Sequence, residues 1–224
     1  MKPELRRFGE SRSPVVVIDG FSGDIGAIRA LAAAIAPFPA DHGTNYPGLR
    51  RILTEQDDAF SYVERTLTDA APFIGGGFGC DSFDLLEASF SMVTARPEAL
   101  LAQQRAPHFD SSDPNYLAVL HYLSDTPGTG TAFYRQRSTG IETIEPANLD
   151  RFVAHARRES AGLAGYTNGS TAAFEQIGLI EAVPDRLIVY QGRLLHSGVI
   201  PPGMNFSDDP ATGRLTANLF VRGN

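Results

Sequence analysis

The sequence predicts a mainly β chain with flanking helices, and three observations carry that prediction. From Leu85 onward, apolar and polar residues alternate over many short segments, the period of half-buried strands. Ahead of them, residues 1–84 hold one short β-branched run and two stretches with helical spacing. Between about residues 145 and 184 the spacing turns helical again, which reads as an insertion between strands. Many short strands at this spacing build a barrel or a sandwich. With 224 residues, 42% hydrophobic and 20% charged, the chain can bury one substantial core, and a single domain is expected.

Val15 to Ile18 is β-branched and bounded by Asp19-Gly20, hence a strand. Ser22 stands where it can cap a helix from about Gly23 to Ala36, stopped by Pro37. A second helix is expected after Thr54 as its N-cap, with Phe60, Val63 and Leu67 on one face and an end at Pro72 and Gly75-Gly76-Gly77. Strands are expected from Leu86 to Val93 and from Tyr116 to Leu123. In the latter, Tyr116, Ala118, Leu120 and Tyr122 share one face and Leu117, Val119, His121 and Leu123 the other. Further strands are expected at Thr131 to Gln136, Arg186 to Tyr190, Leu194 to Val199 and Arg214 to Val221. Inside the insertion, Leu149, Phe152, Val153 and Ala156 form one helical stretch and Phe174, Ile177 and Ile180 another.

Charge and cysteine content narrow the function. A net charge of -7 with no block of Lys or Arg argues against nucleic-acid and anionic-membrane partners and leaves a small molecule or peptide as the natural substrate. Cys80 is the only cysteine, which removes intramolecular disulfides and cysteine metal clusters and suits a reducing compartment. The apolar run from Pro14 to Ile18 is too short for a signal-peptide core or a membrane span, so a cytoplasmic location is expected.

The segment Pro107-His108-Phe109-Asp110 carries the chemistry. In a strand, His108 and Asp110 point to one face with Cα atoms roughly 6.5–7 Å apart, close enough for an imidazole and a carboxylate to share a metal ion. A lone His-x-Asp is frequent by chance. Here it is followed by the strand from Tyr116, by Gly128-Thr129-Gly130-Thr131-Ala132-Phe133-Tyr134, by Arg186-Leu187-Ile188-Val189-Tyr190, by Leu194-Leu195-His196-Ser197-Gly198 and by Arg214-Leu215-Thr216. In that order the sequence resembles the 2-oxoglutarate and Fe(II)-dependent oxygenases, in their prolyl-hydroxylase-like branch, over roughly residues 86–221. The segment from Tyr116 to Gly140 is also similar to a bacterial group within that superfamily, a domain of unknown function.

The resemblance implies a double-stranded β-helix, a jelly-roll core of cupin-like architecture over residues 85–221, supported by residues 1–84 within one oxygenase domain of residues 1–224. It further implies His108, Asp110 and His196 as iron ligands, with Arg214 and Thr216 as the Arg-x-Ser/Thr pair and Tyr122 as a hydroxyl on the cosubstrate carboxylate. Fe(II), 2-oxoglutarate and O₂ are the implied cofactors, and hydroxylation of a small molecule, amino acid or peptide is the implied reaction. Halogenating relatives replace the carboxylate ligand with a small residue, so Asp110 favours hydroxylation.

The residues support this independently, because Arg214, Thr216 and Asn218 alternate with Leu215, Ala217 and Leu219 and make one face of an apolar strand polar. A guanidinium offers two parallel donors to a carboxylate and stays charged at physiological pH. A cupin-like iron dioxygenase that needs no 2-oxo acid leaves Arg214 and Thr216 without a role, and a non-catalytic jelly-roll sensor leaves all three ligands without one. Arg96, Arg135 and Arg137 are candidate substrate contacts, and the insertion, with Gly162, Gly165 and Gly169 as flexible points, is a candidate lid. His121, among apolar strand neighbours, reads as a core histidine rather than a ligand.

Overall fold

The computed structural model describes residues 1–40 and 46–224. Among the described residues, ten strands form two antiparallel sheets. They are β1 (Lys2–Phe8), β2 (Ser13–Asp19), β3 (Gly48–Ile52), β4 (Phe83–Val93), β5 (Tyr116–Tyr122), β6 (Gly130–Gln136), β7 (Phe174–Glu181), β8 (Arg186–Gln191), β9 (His196–Val199) and β10 (Leu215–Gly223). The helices are α1 (Ile25–Ala34), α2 (Phe60–Phe78), α3 (Ala102–Arg105) and α4 (Leu149–Ser160). The larger sheet has the order β1-β2-β8-β5-β10-β4-β3 and the smaller β7-β6-β9, which together make the jelly-roll core.

Alternation along the strands divides the apolar residues into layers. Leu117, Val119 and Leu123 of β5 and its end, with Leu215, Ala217 and Leu219 of β10, pack outward under α1 and α2 beside Ile28, Val63 and Ile74. On the inner face, Ala118, Tyr122, Ile188 and Tyr190 meet Phe133 and Ile180 of the smaller sheet. A third cluster, with Tyr134, Phe174 and Phe152, seals α4 against the other side of the smaller sheet. Among the described residues, no helix is long and apolar enough to cross a membrane.

Several local expectations give way to tertiary packing. Asp24, not Ser22, caps α1, its Oδ1 accepting from Ala27 N at 3.0 Å, while Ser22 donates its hydroxyl to Asp185 at 2.6 Å. Thr54 does not cap α2. Its amide and hydroxyl donate to Asp57 at 2.8 and 2.9 Å in the turn before the helix. The helix then runs through Pro72 and the glycine run to Phe78, and Gly79, at φ +71, ends it. Gly77 serves packing, because a Cβ there would stand 2.6 Å from Cγ2 of Val16 in β2. Burial of Tyr62, Val63, Ala70 and Ile74 on one face outweighs the N–H that Pro72 lacks.

The insertion is helical only in its first half, α4. Phe174, Ile177 and Ile180 lie in strand β7, paired to β6. A register shift between Phe133 and Tyr134 leaves Ile177 without a partner, and across it the apolar residues change side: Phe174 packs towards α4, while Ile177 and Ile180 join the inner cluster, so the spacing of three spans two buried faces rather than one helical stripe. Strands β1 and β3 carry no alternation in sequence, because β1 is an edge with nearly every residue exposed and β3 is a short edge of half-buried residues.

Candidate metal centre

His108 lies in extended chain rather than in a full strand. Its N–H donates to His196 O and its carbonyl oxygen accepts from His196 N, both at 2.8 Å, so the two histidines face each other across an isolated bridge. Asp110 N donates to Gly192 O at 2.7 Å, which pins the same segment to the turn between β8 and β9. Gly192 is needed there: a Cβ would stand 2.6 Å from Tyr116 Cδ1 and 3.1 Å from Asp110 Cβ. The fold thus joins residues 108 and 196 through backbone pairing, not through flexible side-chain reach.

Among the described residues, His108, Asp110 and His196 form the group of metal-ligating side chains whose donor atoms converge, all within 4.8 Å of one another. His108 Nε2 is 3.9 Å from Asp110 Oδ1, and His196 Nε2 is 3.5 Å from Asp110 Oδ2. His196 Nδ1 lies 2.7 Å from Leu194 O. A carbonyl only accepts, so Nδ1 carries the proton and Nε2 presents its lone pair to the group. The ring of Tyr190 packs edge-on at 4.8 Å and holds that imidazole.

Desolvation lowers His196 to about 4 against the opposing hydrogen bond to Leu194. It also lowers His108 to about 4, reinforced by the neighbouring His196. The His108 side chain keeps 53% of its surface open, but it opens into the cleft rather than away from it. Asp110 is pushed up to about 6 by desolvation, with His108 and Arg50 pulling the other way. At neutral pH the group therefore offers two neutral imidazoles and one carboxylate, a facial set that suits a divalent transition metal and leaves coordination positions open.

The three residues sit in a cleft of about 530 Å³. Thr216, Asn218 and Phe220 line it from alternate positions of β10, and Arg214, the residue just before that strand, continues the same alternation. Arg214 is 6% exposed, and its Nε is buried with no hydrogen-bond partner. Thr216 donates to Ser91 O at 3.4 Å. Tyr122 stands beside Thr216 in the register but does not line the cleft. Its hydroxyl lies 2.7 Å from Thr131 Oγ1, and Thr131 does line it.

Arg96, Arg135 and Arg137 do not line this cleft. Arg135 donates through Nε to Glu142 at 2.8 Å and pairs with Glu10 and Glu175, a clamp that ties β6 to the turn after β1. Arg137 donates to Thr171 O at 3.0 Å, and Arg96 is exposed at the start of the short 3-10 turn Pro97–Ala99. The fold does not bring these three arginines to the cleft that holds the triad. The alternation of β6 carries Thr131 to the cleft face, and Arg135, four residues on, has the same parity but lies beyond the register shift. Of the insertion, Tyr166 reaches the cleft, tied by its hydroxyl to Ala95 O at 2.8 Å. His121 is fully buried, with Tyr62 Oη 2.9 Å from Nδ1 and Asp185 Oδ1 3.0 Å from Nε2, so it anchors α2 and the turn before β8.

Sequence reasoning missed Tyr46, Arg50 and Glu87 in the cleft wall. Arg50 lies on β3, its guanidinium 4.6 Å over the Tyr46 ring and 3.6 Å from Glu87 of β4. The alternation Glu87, Ser89, Ser91 in β4 was the available signal, a polar face on an otherwise apolar strand.

A family model described as "Family of unknown function (DUF6445)" matches residues 1–221. No curated protein matches the sequence. Among solved structures, the chain is similar to the non-heme alpha ketoglutarate dependent epimerase SnoN from nogalamycin biosynthesis, with a TM-score of 0.58 at 14% identity, covering 95% of this chain and 80% of that one. HygX from Streptomyces hygroscopicus, in a structure with nickel and 2-oxoglutarate bound, matches with a TM-score of 0.53 at 16% identity, covering 95% and 84%. A Pseudomonas putida prolyl-4-hydroxylase matches with a TM-score of 0.50 at 16% identity, covering 96% and 95%. The fold is that of these oxygenases.

Proposed function

The chain belongs to that family of unknown function, and from its fold and cleft we propose that it is a 2-oxoglutarate-dependent Fe(II) oxygenase that hydroxylates a small molecule, amino acid or peptide. The observation that carries the reading is the convergence of His108, Asp110 and His196 in a cleft that also holds a buried, unpartnered arginine. A buried guanidinium nitrogen without a partner is costly, roughly 1–3 kcal/mol or more, and a ligand carboxylate is its natural complement. Arg214 thus fits the distal carboxylate of 2-oxoglutarate, with Thr216 beside it, and the metal triad fits iron. An iron dioxygenase without a 2-oxo acid leaves Arg214 buried for no reason.

When bound, iron with 2-oxoglutarate and O₂ supplies oxidative decarboxylation coupled to oxidation of a substrate carbon. The chain supplies the rest. Leu194 fixes the His196 tautomer, Gly192 lets Asp110 approach, and the apolar inner core around Ile188 and Phe133 limits water. Tyr122 acts through Thr131 rather than by contact. Asp110 supports hydroxylation over halogenation, since it fills the position a halide needs. Related folds host an epimerase and a hydroxylase, so the substrate decides the outcome as much as the fold does.

The test is anaerobic addition of Fe(II) and 2-oxoglutarate, which should produce a weak visible charge-transfer band. The band should vanish in His108→Ala and in Asp110→Ala. Its persistence in both variants sinks the ligand assignment.

A further inference from the structure

Glu87 lines the cleft but is not one of the three converging metal-ligating residues, and the oxygenase reading assigns it to neither metal nor cosubstrate. It stands on β4 opposite Phe220 of β10. Its nearest cation is Arg50, with Nη1 3.6 Å from Oε1, and that oxygen is buried without a hydrogen bond. At this separation the two carry a charge contact and no hydrogen bond. The Glu87 side chain is 40% exposed and that of Arg50 17%, and Arg50 is already covered by the Tyr46 ring. Glu87 is the more open charge of the pair.

A short series of contacts joins Glu87 to the metal triad. Asp110 and Tyr116 both pack against Gly192. The Tyr116 ring lies 5.4 Å from that of Phe220, the register partner of Glu87. A molecule whose reacting carbon faces the triad can therefore set another group beside Glu87, within one cleft of about 530 Å³, a volume typical of small-ligand sites. The aromatic faces of Tyr116 and Phe220 line the way. A carboxylate flanked by aromatic rings selects a cation, through a charge-assisted hydrogen bond and cation–π attraction. The net charge of -7 favours its approach.

We propose that Glu87 is the substrate anchor and that the primary substrate is a small molecule bearing a cationic amine. This rests on the oxygenase reading above. It assigns Glu87 to substrate binding, apart from the residues that hold metal and cosubstrate.

The probes are benzylamine, phenethylamine, tyramine and cyclohexylamine, each beside its N-acetyl derivative. They are titrated by calorimetry into protein loaded with Ni(II) and 2-oxoglutarate. At least one amine should bind tenfold or more tightly than its acetamide, and Glu87→Gln should abolish that preference. The proposal is overturned if no amine outbinds its acetamide in the wild type, a comparison that needs no variant. It is equally overturned if the preference survives in Glu87→Gln. The Fe(II)–2-oxoglutarate band, recorded on both proteins, separates the two levels. No band in the wild type defeats the oxygenase reading, whereas a normal band without amine preference defeats only the anchor.

Discussion

Replacing Arg214 with Met should move stability and cosubstrate affinity in opposite directions. Arg214 is 6% exposed and its Nε has no hydrogen-bond partner, so the ligand-free protein bears an uncompensated buried polar group. Such a group costs about 1–3 kcal/mol. Met keeps the apolar stem that packs against the cleft wall and discards the guanidinium, so the ligand-free variant should gain about 1–2 kcal/mol. For a chain of this size that is a rise in Tm of about 2–8 °C. Affinity moves the other way. Truncating one partner of a buried charge pair costs about 3–5 kcal/mol, which converts to a roughly 150- to 5,000-fold weaker Kd for 2-oxoglutarate. Thermal unfolding without ligands measures the first quantity, and anaerobic titration of 2-oxoglutarate into the Fe(II)-loaded protein measures the second. Metal affinity, read by Ni(II) calorimetry, should change less than fivefold. A variant destabilised by more than about 1 kcal/mol, or one that binds 2-oxoglutarate as tightly as the wild type, refutes the reasoning, because Arg214 then serves the fold rather than a ligand.

Metal affinity should also depend on pH in a particular way. Asp110 titrates near 6 and both histidines near 4, so a metal displaces no proton above about pH 6, one proton between about 6 and 4, and three below. Affinity should be flat above pH 6.5 and fall about tenfold per unit from 6 to 4. A slope of two beginning at 6.5, the ordinary histidine value, contradicts the environment described for His108 and His196. Gly192→Ala should push Tyr116 and Asp110 apart, costing about 1–3 kcal/mol in stability as an overpacked site and weakening Ni(II) binding. Unchanged Ni(II) affinity in a folded Gly192→Ala protein argues against that glycine's role. Tyr122→Phe removes the hydrogen bond to Thr131 and should cost about 1 kcal/mol in denaturant unfolding, with less than a tenfold change in the Kd of 2-oxoglutarate. A hundredfold loss instead means that Tyr122 touches the cosubstrate directly.

Strand β10 was legible because its alternation is strict: Arg214, Thr216 and Asn218 reach the cleft while Leu215, Ala217 and Leu219 reach the helix-covered face. The reading of β7 failed for the converse reason, since both of its faces bury apolar residues, Phe174 on one and, across the bulge, Ile177 and Ile180 on the other, and their spacing of three looks helical. Arg135 and Arg137 looked available because a sequence does not show partners, and Glu142, 7 residues from Arg135 in the chain, captures it only through the closure of a turn that also brings in Glu10 and Ser11. The N-cap at Asp24 was lost to sequence reasoning because Ser22 is an equally good capping residue, until Asp185, 163 residues away, claims its hydroxyl.

By itself, the sequence determined the residue types and their order: a His-x-Asp pair, a later histidine, an arginine on an otherwise apolar strand, and strands whose faces divide polar from apolar. These are local properties, set by side-chain chemistry and by a period of two that holds wherever one strand face is buried. Tertiary structure alone decided which charges meet. The backbone bridge between His108 and His196 brings three donors within 4.8 Å, and the register of β4 with β10 sets Glu87 beside Phe220 in the same cleft. It also left Arg214 buried without a partner while Arg135 found three carboxylates. The physical reason is that charge interactions depend on distance and burial, and both are fixed by strand register and sheet closure between segments far apart in the chain.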